Sequence, residues 1–231
     1  MKREISVKMD SSRKTWSFEE LRSLCAAKGL PDSKIYREAL EWKRWRASYH
    51  AKQYERYQKR LDKLFPPQRK RDINKWICLR EASEAHVEAA AQALHSMADI
   101  LAQIINKAVL RGDFKERDVS LSSAFVEKLE KKAGAHKIVA ALDKLRNSAE
   151  FRYINAFVNT IKHRRLLETT YHLEYGQGKR NEKAVCFQKF EYNGDCYGFT
   201  WATDIVGPYK SRIVELICEI GNAVNEYLRR I

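Results

Sequence analysis

The chain has 231 residues and carries 44 Lys and Arg against 30 Asp and Glu, a formal net charge of +14. A hydrophobic fraction of 44% suits a globular protein, and the 9 Gly and 4 Pro are few enough to favour long helices over a β sandwich. No run reaches the roughly 18 apolar residues needed to cross a membrane, and no charged-then-apolar leader is visible, so a cytoplasmic protein is expected.

The charge is unevenly placed. Residues 1–75 hold 21 basic and 10 acidic side chains, +11, which leaves only +3 for the other 156 residues. A polyanion, such as a nucleic acid, or another acidic surface is therefore the expected partner of the N-terminal third, with a role in solubility alone as the alternative. The five cysteines, Cys25, Cys78, Cys186, Cys196 and Cys218, are scattered without a CxxC pair. Their expected state is reduced, with neither zinc nor any other metal. A Cys186–Cys196 approach across a hairpin is the one geometric alternative.

Along the chain, residues 1–15 lack periodicity and read as an arm or edge strand built on Ile5, Val7 and Met9. Ser17 followed by Glu20 has capping-box spacing and opens a short helix that ends near Gly29. A long helix is expected from about Ser33 to Phe65, stopped by Pro66-Pro67. Its stripe Tyr36, Leu40, Ala47, Ala51, Tyr54 and Leu61 can pack on a core. Its other residues include Lys43, Arg44, Arg46, Lys52, Arg56, Lys59 and Arg60, interleaved with Trp42, Trp45 and Tyr49. Cations supply phosphate contacts and indoles can stack on unpaired bases, so these nine residues other than Tyr49 are the candidate nucleic-acid-binding set. The competing reading buries the aromatics against the core or a partner subunit.

A second long helix runs from about Asp72 to Leu110 on a stripe that includes Ile77, Val87, Ala91, Leu94, Leu101 and Ile105. Its run Ala89-Ala90-Ala91, with Ala93 and Ala98, permits close approach of a partner helix and suggests a homodimer. His95 and Asp99 stand four apart, but no third metal ligand accompanies them. A short helix capped by Ser120 or Ser122 follows, and then a helical stretch from His136 to Leu167, interruptible at Asn147-Ser148. Alternation over Thr169–Tyr175, a loop Gly176–Asn181, and strands over 184–192 and 196–201 about Asn193-Gly194 make a three-stranded antiparallel meander. A final helix starts near Pro208, or earlier if Thr203 or Asp204 caps it, and carries the stripe Ile213, Leu216, Ile217, Ile220, Val224 and Leu228. The expected fold is thus a mainly α helical bundle of long antiparallel helices, with a small β meander before the C-terminal helix.

The segment 152–165 carries the candidate chemistry. At helical spacing Arg152, Asn155, Asn159 and His163 form one polar stripe, while Phe151, Ile154, Val158 and Ile161 form an apolar one. Amides and an imidazole can hold a phosphate or a water directionally, and a histidine moves protons near neutral pH. His163 is the candidate proton-transfer group. Lys162, Arg164 and Arg152 are candidates to stabilise developing charge, and Asn159 to orient. Neighbouring positions diverge by about 100°, so Lys162 and Arg164 cannot both point with His163.

Helices ending in Asn159-x-x-Lys162-His163-Arg164, followed by short strands and a last helix, resemble the HEPN superfamily over roughly residues 70–231. The resemblance implies an all-helical, often dimeric protein that interacts with RNA, many relatives being metal-independent ribonucleases of bacterial toxin or antiphage systems without a cofactor. On it, residues 70–231 form the core with a β insertion at about 168–202, and residues 1–68 a basic extension of one mainly helical domain. The family's ribonuclease motif is an Arg and a His separated by four to six residues. Here Arg165 and His172 have that separation but straddle a helix and a strand, and ten residues part Arg152 from His163. A non-catalytic nucleic-acid-binding or protein-interaction module is the alternative.

Overall fold

Where apolar residues recur every three or four positions without an intervening Pro or Gly, the chain builds two long helices. A computed structural model describes residues 15–174 and 182–231. The expected edge strand of the first residues and the Gly176–Asn181 loop lie outside them. Helix α1 spans Phe18–Ala27, α2 Lys34–Leu64 and α3 Lys70–Ala108. At 1.5 Å per residue α2 and α3 reach about 46 and 58 Å. The Phe65-Pro66-Pro67 break folds them back on each other as an antiparallel pair.

The helices that follow are α4 Ser123–Glu130, α5 His136–Asn147 and α6 Ala149–His163. Ser122 and Ser148 cap α4 and α6 by accepting from the amides of Phe125 and Phe151. Ser17 likewise caps α1 through the Glu20 amide at 3.2 Å. The Glu20 carboxylate does not complete a capping box, because it accepts instead from Asn225 and Arg229.

Among the described residues five short strands precede the last helix: β1 Thr169–Glu174, β2 Glu182–Phe187, β3 Phe190–Tyr192, β4 Asp195–Tyr197 and β5 Thr200–Trp201. The three-stranded antiparallel sheet has the order β1-β2-β5, with Thr169 opposite Phe187 and Cys186 opposite Trp201. Asn193 and Gly194, both at positive φ, turn a separate β3–β4 ribbon that leaves the sheet between β2 and β5. Each of the two expected later strands is therefore split in two. The sheet is moored to the α2–α3 turn. There Tyr171 donates to Asp62 at 2.7 Å, and the buried Gln58 amide donates to the Lys183 carbonyl at 2.7 Å.

The final helical run begins earlier than Pro208. A turn α7, Ala202–Asp204, leads through a π-helical turn at Ile205–Tyr209 into α8, Lys210–Arg230. Pro208 lacks the amide that an α-helical ladder would use, and the wider turn accommodates it.

The apolar stripes expected of α2, α3 and α8 are buried, apart from Ile77, which is 37% exposed. All but Leu61 and Ile77 join Phe125, Leu142, Phe157 and Phe187 in one contiguous apolar cluster. Ala90, Ala91, Ala93 and Ala98 lie inside this cluster, so the alanine stripe is consumed within the chain and is not a face for a second copy. No disulfide joins any of the five cysteines; Cys186 is buried in β2 opposite Thr170 and Trp201, while Cys196 is exposed in β4. No helix among the described residues is long and apolar enough to cross a membrane.

Candidate nucleic-acid interface

The buried stripe of α2 fixes which way its remaining residues face. With about 100° between neighbours, burial of Leu40, Ala47, Ala51 and Tyr54 turns Trp42, Trp45 and Tyr49 outward. They are 58%, 44% and 41% exposed, which excludes the core-packing reading for both indoles. The rings associate with each other instead. Trp42 meets Trp45 edge-on at 5.3 Å, and Trp45 stacks on Tyr49 at 5.3 Å with 16° between planes. An exposed run of self-stacked rings presents a ready π face at its ends and rim.

Cations flank this ladder. Arg46, Lys52, Arg56, Lys59 and Arg60 are exposed on α2, with the Arg60 guanidinium over Tyr57 at 5.8 Å. Arg44 is also exposed but falls toward α8, where it borders a small recess with Val214, Ile217 and Cys218. Among the described residues the ion pairs of α2 are confined to its start, Lys34 with Glu38 and Arg37 with Asp32. Among the described residues none joins the seven candidate cations to a carboxylate.

The half-buried Lys43 connects this face to α6. Burial holds its ammonium below the ordinary lysine value, and the charges of Arg46 and Lys162 press the same way. Candidate residues from both sets, Arg46 from α2 and Lys162 from α6, are thus near enough for their charges to act on Lys43. Like charges held together in this manner favour an anion between them.

The polar stripe of α6 is divided among three environments. Asn159 donates to the Asn155 backbone carbonyl at 2.8 Å and to its side-chain oxygen at 3.0 Å. The histidine that joins these amides is His95 of α3, whose Nε2 lies 3.1 Å from Asn155 Oδ1. Arg152 is paired with Asp195 at 3.0 Å, and Arg164 donates to Asn193 at 2.7 Å while lying 4.4 Å over the Tyr192 ring. Two of the candidate catalytic cations therefore clamp the β3–β4 ribbon along α6. His163 ends α6 as an exposed residue beside the exposed Lys162.

A second histidine contact escaped the sequence reading. His50 Nδ1 of α2 and His86 Nδ1 of α3 are 3.0 Å apart, next to Tyr49 and Tyr57. One ring must donate and the other accept. Burial lowers both from the usual histidine value, and His86 and Arg46 lower His50 further. The available signal was positional, since the two residues lie at similar distances on either side of the Pro66-Pro67 reversal.

Comparison with models of known protein families, with curated proteins and with solved structures finds no match to this chain.

Proposed function

We propose that this protein binds single-stranded RNA along the exposed face of α2, as a cytoplasmic, non-catalytic relative in the HEPN-like reading of its sequence. The observation that supports this is the outward stack Trp42–Trp45–Tyr49, flanked by cations that have no carboxylate partner among the described residues. Aromatic rings stack on unpaired bases irrespective of sequence, while Lys and Arg follow the backbone. Lys43, Arg46 and Lys162 extend the track from α2 onto α6. The non-catalytic form is favoured over a metal-independent ribonuclease because Arg152 and His163, both on α6, are separated by about 16 Å along the helix axis.

The test is anisotropy of a labelled single-stranded RNA, compared with duplex RNA and single-stranded DNA of equal length, beside a cleavage assay without metal. Binding that prefers the single strands and leaves them intact is the expected result. Cleavage lost in His163→Ala would restore the ribonuclease reading. Absence of any binding, together with a concentration-dependent dimer whose interface buries Trp42 and Trp45, would give this face to a second copy instead. Aromatic residues and Arg are what a protein interface would also use.

A further inference from the structure

Between α3, the segment 120–122 and the start of α6 lies a cavity of about 360 Å³. Its polar wall includes His95, Asp99, Ser122, Arg146 and Arg152, and Phe151 supplies part of an apolar one. The volume falls at the small end of the roughly 300–1,000 Å³ range of ligand pockets.

The hydrogens along its inner wall follow by elimination. A backbone carbonyl only accepts, so the Asn159 atom 2.8 Å from the Asn155 carbonyl is the amide nitrogen. The same nitrogen lies 3.0 Å from the Asn155 side chain, which must therefore present its oxygen. That oxygen in turn accepts from His95 Nε2 at 3.1 Å. In the neutral ring the lone pair is left on Nδ1, on the side of Asp99, whose Oδ2 is 3.9 Å away. Burial holds the His95 imidazole below its ordinary value and Lys162 acts the same way; Asp99 and the Asn155 hydrogen bond oppose them. Neutral His95 is thus a fixed proton acceptor beside two arginines.

We propose that this cavity binds a phosphate monoester, with Arg146 and Arg152 taking the phosphate oxygens and His95 Nδ1 sharing the phosphate's last proton. Forked guanidinium donors match a tetrahedral oxyanion. The proton-sharing base selects phosphate over sulfate or carboxylate, because a phosphate monoester has a second pKa near 6 and the others carry no proton to share at neutral pH. Asp143, 3.5 Å from Arg146, and Asp195, 3.0 Å from Arg152, are the present partners of the two arginines. Those acids are 46% and 58% exposed, and pairs of that kind contribute little, so an incoming phosphate can displace them. The phosphate can come from a free sugar phosphate or from an RNA chain end. The site does not depend on RNA binding by α2.

The test follows the His95 ring proton by NMR while inorganic phosphate, ribose 5-phosphate or sulfate is added across the neutral range. Both phosphates should raise the His95 midpoint and sulfate should not. Arg146→Gln should weaken binding about tenfold, the size of one lost charge-assisted hydrogen bond. His95→Gln should abolish the proton uptake measured by calorimetry in buffers of different ionisation enthalpy. Asp195→Asn, which releases Arg152 from the ribbon, should preserve or tighten binding, and Arg46→Gln on α2 should leave it unchanged. Tighter binding of a 5′-phosphorylated than of a 5′-hydroxyl oligonucleotide would support the site with a chain end as its source, and saturation by ribose 5-phosphate alone would support it with a free sugar phosphate. A His95 titration unmoved by millimolar phosphate, an equal response to sulfate, or an Arg146→Gln protein of undiminished affinity would each overturn the proposal.

Discussion

The indole of Trp16 lies against the bare Cα of Gly221, occupying the space that a β-carbon on α8 would take. Trp16 is 8% exposed, and its Nε1 donates to Asn225 Oδ1 at 3.2 Å one turn further along the same helix. Gly221 sits in the interior of α8, where alanine would ordinarily be the better helix former. Here the indole reverses that preference. Gly221→Ala should destabilise the protein by about 1–3 kcal/mol, the range of an overpacked core, despite its gain in helix propensity. Urea unfolding measures the loss. Trp16→Phe in the Gly221→Ala background should recover part of it, because the smaller ring can retreat; equal stability of Gly221→Ala and the parent would mean that the indole does not hold this position.

Trp45→Ala separates a stacking surface from a structural one. The side chain touches Trp42 and Tyr49 and contributes nothing to the buried cluster. Its removal should cost about 1 kcal/mol of stability, the value of aromatic pairs at a surface. Affinity for single-stranded RNA should fall by about 1–3 kcal/mol, whereas affinity for duplex should change less. A protein that unfolds on this change would assign Trp45 to the core after all.

Salt dependence reports the number of phosphates neutralised. For a single strand each contact contributes about 0.7 to the slope of log K against log salt, so four contacts among Lys43, Arg46, Lys52, Arg56 and Lys162 predict a slope near −2.8. The triple change Arg46→Gln, Lys52→Gln and Arg56→Gln removes at least two of any such four, so it should flatten the slope to between about −0.7 and −1.4 with helicity unchanged by circular dichroism. Arg44→Gln should alter it least, since Arg44 faces the α8 side of the helix. A slope that the triple change leaves intact would place the phosphates elsewhere.

The His50–His86 hydrogen bond predicts a pH-dependent fold. Burial first, and nearby positive charge at His50, make protonation harder in the folded state than in the unfolded chain, where histidine titrates near 6.5. The unfolded state therefore binds more protons below that pH. The stabilisation is complete above about pH 6.5 and is lost as pH falls through the depressed folded values. Burial of His95 adds in the same direction. Tm measured from about pH 8 to about pH 5 should decline, with about 2–4 °C for each kcal/mol lost. The double change His50→Gln and His86→Gln should make the decline shallower; an identical pH profile would remove the pair from the account.

Periodicity made most of the architecture legible. The stripe of α2 reappears almost residue for residue in its buried set, because helix geometry alone decides which positions share a face. Gln58, which also lies on that face, could not be foreseen as buried, since its partner is the Lys183 carbonyl of a strand 125 residues away. The site shows the same division. Asn155 and Asn159 could be placed together from spacing, but the histidine that meets them is 60 residues earlier in the chain and no spacing rule links the two. His163 satisfied the spacing and ends in solvent at the helix terminus. The break between β2 and β3 was equally hidden. Residues 184–192 contain no turn dipeptide, and where the chain leaves the sheet Phe190 of β3 packs against Tyr153 of α6, a contact that no local pattern announces.

The seam that Trp16 makes with α8 joins residues 209 positions apart, and Glu20 with Arg229 closes it at the same separation. Chains leave the ribosome N-terminus first, at about 5–20 residues per second. Helix α1 therefore emerges roughly ten seconds or more before the helix it docks on has been synthesised. Throughout that interval the surface of Trp16 and α1 that α8 covers stays open, so an amphipathic helix made early waits on Lys210–Arg230 to complete its burial.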